Sequence, residues 1–116
     1  MGALVAVTPT NTGAVATPAA VAASDTVAQS VMGPRGATLY IVNTGAGTDN
    51  ITISDSGSTP AGNALSGGTI SASVANSGVA KVFDLSQEQL NPATQLITIT
   101  HSQPTGVAYV LIPNGL

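Results

Sequence analysis

The run Ala37-Thr38-Leu39-Tyr40-Ile41-Val42-Asn43 decides the fold class. It alternates: Leu39 and Ile41 fall on one side, and Thr38, Tyr40 and Val42 on the other, a period of two that a strand satisfies and a helix does not. Both sides are partly apolar, which predicts a strand in the interior of a sheet. Outward from it the same signal recurs. Asp25–Val31 precedes it, with Val27 and Val31 on one face, and Gly33-Pro34-Arg35-Gly36 supplies the turn between the two. After it, Asn43-Thr44-Gly45-Ala46-Gly47 reads as a flexible connection. Asn50–Asp55 then alternates Ile51 and Ile53 against Thr52 and Ser54, so the pair reads as a hairpin with one buried face.

Thr69–Val74 and Val79–Leu85 are two further strands around an Asn76-Ser77-Gly78 turn. Gln95–His101 and Gly106–Ile112 form an expected second hairpin across Ser102-Gln103-Pro104-Thr105. Ser86-Gln87-Glu88-Gln89 matches a capping box and predicts one helical turn, ended by Asn91-Pro92. The total is about seven or eight short strands, the pattern of an all-β, small antiparallel sandwich of jelly-roll type. The expected core is Leu39, Ile41, Ile51, Ile53, Val82, Leu96 or Ile97, and Ile99.

Two segments lie outside this pattern. Residues 1–24, rich in Ala, Val, Thr and Pro, read as an N-terminal arm or edge strand ahead of a sandwich domain over 25–116; Ala3–Thr8 is β-branched enough to add as a strand. Residues 56–68 form a Gly/Ser/Pro loop with no apolar anchor except Leu65, and loops of this length are frequent contact sites.

Composition narrows the function. Charged residues are 6% of the 116, against about 25% in ordinary soluble domains, so the polar surface comes from Ser, Thr, Asn and Gln. Little like-charge repulsion keeps such monomers apart, which favours self-association. Arg35 and Lys81 are the only cations and the net charge is −3, which argues against nucleic acid and anionic membranes as partners. No apolar run approaches the roughly 20 residues of a membrane span. The N-terminus lacks a basic region ahead of an apolar one, so synthesis in a cytoplasm without an export signal is expected. With no cysteine, thiolate and disulfide chemistry are excluded.

The search for a catalytic or metal set yields none. His101 is the single histidine, so no multi-histidine metal site forms within one chain. It reads as a rim residue with a structural hydrogen bond; only a trimer would bring copies together on an axis. Asp25, Asp49, Asp55, Asp84 and Glu88 read as solvated turn carboxylates. Asp49-Asn50 with Asp55 offers oxygen atoms for calcium but lacks the dense acidic pattern such loops have. Gly45-Ala46-Gly47 has no helix behind it to hold a phosphate. The aromatics Tyr40, Phe83 and Tyr109 each sit in an apolar strand and read as core filling, not as a platform for a sugar. The expectation is a non-enzyme without cofactor.

The stretch from about Val21 to Leu116 resembles the small β-sandwich decoration proteins, also called cement or head-stabilising proteins, of tailed bacteriophages. The resemblance rests on Ala23-Ser24-Asp25-Thr26-Val27, Gly36-Ala37-Thr38-Leu39-Tyr40-Ile41-Val42-Asn43-Thr44-Gly45, and Asn50-Ile51-Thr52-Ile53. It continues through Val79-Ala80-Lys81-Val82-Phe83-Asp84-Leu85, Ile97-Thr98-Ile99-Thr100-His101 and Thr105-Gly106-Val107-Ala108-Tyr109-Val110. It implies a structural virion protein, trimeric on the outer surface of an icosahedral head, that bridges major capsid protein subunits. The arm and the 56–68 loop are then the expected capsid contacts. The alternative from another class is a virion or cell-surface adhesion module that binds carbohydrate through its loops.

Overall fold

A computed structural model describes residues 2–14, 17–54, 69–91 and 93–115. The chain is all-β, with nine strands in two sheets among the described residues. They are β1 (Gly2–Ala3), β2 (Ala19–Ala20), β3 (Ser24–Ala28), β4 (Ala37–Asn43), β5 (Asp49–Ser54), β6 (Thr69–Val74), β7 (Val79–Leu85), β8 (Leu96–His101) and β9 (Val107–Pro113). One sheet has the order β1-β3-β8-β5-β6 and the other β2-β9-β4-β7. All pairings are antiparallel except β1 with β3. The sandwich expected from the alternating runs is therefore present, and β4 lies between β9 and β7 as its two apolar faces require.

Strand pairing departs from the sequence reading at two places. β4 and β5 are not a hairpin, and neither are β8 and β9: in each case the chain leaves one sheet and enters the other. Strands with an apolar inner face gain as much from facing each other across the core as from lying side by side, so alternation alone does not separate the two arrangements. The crossings are fixed by backbone contact. A Cβ on Gly45 would lie 2.4 Å from the Thr105 carbonyl oxygen, and one on Gly106, which has φ +81, would lie 2.5 Å from the Gly45 Cα. The buried Asn43 holds the same corner. Its Nδ2 donates to the carbonyls of Gly47 (2.8 Å) and Val74 (3.0 Å), and its Oδ1 accepts the Gly45 N–H (2.9 Å). The connection read as flexible is thus tied at three points. Asn43→Ala strands these groups, and a loss of about 1–3 kcal/mol in unfolding free energy, read by urea titration, is expected.

Leu39, Ile41, Ile51, Ile53, Ile97 and Ile99 are buried as the alternation predicts, joined by Val27, Val74, Leu85, Val107 and Leu111. Val82 is a correction: it is 64% exposed. In β7, Phe83 pairs with Leu39 and Lys81 with Ile41, so the odd positions face the core and Val82 faces out. The charge at Lys81 obscured this parity. Leu96 is half-buried, and Ile97 takes the core position. Val31 lies beyond the end of β3, in a short 3-10 turn (Gln29–Val31). The capping box at Ser86 is formed: Ser86 Oγ accepts the Glu88 N–H, and Gln89 Oε1 accepts the Ser86 N–H, over the 3-10 turn Gln87–Gln89.

The N-terminal segment contributes to both sheets. β1 extends the edge beside β3, Leu4 is buried in the core, and Ala6 bridges Leu111 of β9. The Val5 N–H donates to the Tyr109 hydroxyl (2.9 Å), and the Val7 N–H to the Leu111 carbonyl (2.8 Å). β2 then pairs with β9 at Tyr109 and Ala108. Removing residues 2–7 exposes Leu4's site and frees two strand edges. A loss of at least about 2–5 kcal/mol is expected from the buried leucine alone, measurable as a lowered melting temperature.

Candidate functional site

Strand parity gathers three titratable side chains inside the sandwich. β8 lies between β3 and β5, and Asp25, His101 and Asp49 all point to the interior from these adjacent strands. His101 Nδ1 lies 2.6 Å from Asp49 Oδ2, and its Nε2 lies 3.9 Å from Asp25 Oδ2. The side chains are 1%, 0% and 4% exposed for His101, Asp49 and Asp25. Each carboxylate also takes a backbone donor: Asp49 Oδ1 accepts the Gln103 N–H (2.9 Å) and Asp25 Oδ2 the Ala22 N–H (3.0 Å). Buried carboxylates need such partners, and no buried side-chain nitrogen or oxygen among the described residues lacks one.

This overturns two expectations: Asp25 and Asp49 are not solvated turn residues, and His101 is not on the rim. The signal was present in the sequence, since Asp25 shares its parity with Val27, Asp49 with Ile51, and His101 with Ile99. A histidine held by a carboxylate is half of a general-base dyad. Here, however, the second ring nitrogen faces another carboxylate, and the group is sealed from solvent. What the arrangement does is pin β3, β5, β8 and the loop after β8 to one another. Its burial also removes His101 from any axis shared by several copies.

The remaining carboxylates do not converge. Asp84 and Glu88 are exposed at separate places, while Asp55 lies outside the described residues. Asp49 and Asn50 point to opposite faces of β5, so they cannot share a calcium ion. Among the described residues no group of three or more ligand-type side chains is spaced for a metal. The 56–68 loop, with Leu65, also lies outside the described residues.

The two outer faces differ. On the five-stranded sheet, the outward positions of β3, β8, β5 and β6 include Ser24, Thr26, Thr98, Thr100, Asn50, Thr52, Ser54, Ser71 and Ser73, and none carries a charge. The Thr52 and Thr100 hydroxyls hydrogen-bond to each other across the strands. On the four-stranded sheet, the register aligns three ranks across β7, β4 and β9: Ala80, Val42 and Ala108; Val82, Tyr40 and Val110; Asp84, Thr38 and Ile112. This face is apolar with one carboxylate at a corner. Tyr40 lies on it half-buried, a correction to its reading as core filling, whereas Tyr109 is buried and Phe83 packs against the core. Val5 and Val7 of the N-terminal segment line a cleft beside this face with Tyr109 and Val110.

The fold and site define an all-β sandwich with a hydroxyl-rich face and an apolar face. No family model matches the chain, and no curated protein or solved structure does either.

Proposed function

We propose that the chain is a structural virion protein that decorates the outside of an icosahedral phage capsid, in threes, and bridges major capsid protein subunits. The observation that carries this reading is the unlike pair of outer faces. Apolar outward residues around Tyr40 and Val82 are suited to burial against another protein, with a tyrosine of the kind that anchors interfaces. The hydroxyl face opposite is suited to water, and its lack of charge fits neighbours packed closely on a shell. The resemblance to decoration proteins in the β3–β5 and β7–β9 stretches supports the same assignment.

The adhesion reading draws on Tyr40, the one aromatic ring on an outer face. A sugar site needs polar groups converging around such a ring. Tyr40 is instead ranked between Val82 and Val110, so decoration is the better supported reading. Undecorated capsids mixed with the purified chain discriminate the two. Saturable binding that falls at least tenfold for Val82→Asp, with the melting temperature unchanged, is the expected result, since about 1.4 kcal/mol corresponds to tenfold. Binding to glycans and not to capsids supports the adhesion module instead.

A further inference from the structure

Among the described residues the two sheets have four outer edges, and they are not equally protected. An unpaired strand edge offers a row of N–H and C=O groups to another chain, and soluble proteins blunt it with short strands, prolines or charges, including charges turned inward. β1 and β2 are two residues each. β7 carries Lys81 at a position that faces the interior, opposite Ile41, yet the lysine is exposed. A strand added there would bury the ammonium group. β6 has none of these devices: its six residues, Thr69-Ile70-Ser71-Ala72-Ser73-Val74, hold no charge and no proline, and no described residue pairs with its outer side.

We propose that β6 is a docking edge whose occupant is β6 of a second copy of this chain, paired antiparallel about a twofold axis at Ser71. The strand is complementary to itself in that register. Residues directly opposite point to the same face, so Ser71 meets Ser71 of the second copy on the hydroxyl face. On the inner face Ile70, 42% exposed, packs over the small Ala72 of its partner. No like charges meet anywhere along the strand, which a self-paired edge of charged residues cannot achieve. The result is one sheet of ten strands running through both copies.

Size sets the strength. Six residues at about 3.4 Å give an edge about 20 Å long, and a strand with its side chains is about 10 Å deep, so each copy buries on the order of 200 Å². A stable interface needs about 800 Å² per partner, so the pair is weak: monomers in dilute solution, and dimers at millimolar concentration. Neighbours held side by side reach such effective concentrations. The inference does not depend on the capsid reading, because it concerns the purified chain alone.

The chain has no cysteine, so a single introduced thiol reports the register. Directly opposed residues in an antiparallel pair have Cα atoms about 4.5–5.5 Å apart, within disulfide reach. Ser71 and Ser73 are both exposed on the same face, so Ser71→Cys and Ser73→Cys leave the core intact. Under air oxidation at graded concentration, the Ser71→Cys chain is expected to form covalent dimers an order of magnitude faster than the Ser73→Cys chain. Adding a Lys at position 70 (Ile70→Lys) to the Ser71→Cys chain should abolish that advantage. Equal rates for the two single-cysteine chains, or no dimer from the Ser71→Cys chain at millimolar concentration, overturn the proposal.

Discussion

Replacing His101 with alanine is expected to lower the unfolding free energy by at least about 1–3 kcal/mol, the cost of leaving a buried hydrogen-bond acceptor without its partner. The cause is local. Asp49 is fully buried and accepts from the histidine ring on one oxygen and from the Gln103 N–H on the other. Without the imidazole, Asp49 Oδ2 loses its partner in a buried space that the Asp25 carboxylate also borders. Small domains hold about 5–15 kcal/mol in all, so the variant should lose a large share of its stability. Asp25→Asn should cost less, because Asp25 stands 3.9 Å from the ring. Urea unfolding of the two variants measures the difference; an equal and small loss for both would mean that the cluster does not hold the strands.

Truncating Leu39 to alanine should cost about 2–5 kcal/mol, while Val82→Ala should stay within about 0.5 kcal/mol. Leu39 is fully buried between the sheets, and its removal leaves a cavity; Val82 is 64% exposed on an outer face, so its truncation leaves none. The two residues sit on neighbouring strands β4 and β7 with opposite orientation. Reversed effects in thermal melts would show that the inner and outer faces of β7 have been exchanged.

Legibility in the sequence tracked how local the determining physics is. The alternation in Ala37–Asn43 and in Asn50–Ser54 depends on each strand alone, and the core residues read from it are buried. The capping box at Ser86 is equally local, with donor and acceptor three residues apart. Partner choice between strands is not local. The crossings after β4 and β8 depend on the close approach of Gly45 to Gly106, which are far apart in the chain. β7 misled because Lys81, on the core-facing parity, escapes burial only by being on an edge. The histidine–aspartate cluster was half legible. Parity with Val27, Ile51 and Ile99 placed each member on an inner face, but the adjacency of β3, β8 and β5 that brings them together is a property of the sheet. The contrast between the two outer faces likewise needs the sheet assignments before it emerges.

The most direct measurement of the proposed role is the temperature at which capsids rupture with and without the bound chain. A ligand that binds the assembled shell and not its free subunits stabilises it by about 2.7 kcal/mol per site at a hundredfold excess over Kd, and such increments accumulate over a lattice. Undecorated capsids saturated with the wild-type chain should rupture at a higher temperature, and those mixed with the same concentration of the Val82→Asp chain at a temperature closer to the undecorated value. Binding of the wild-type chain with no rise in rupture temperature, or no binding at all, contradicts the stabilising role.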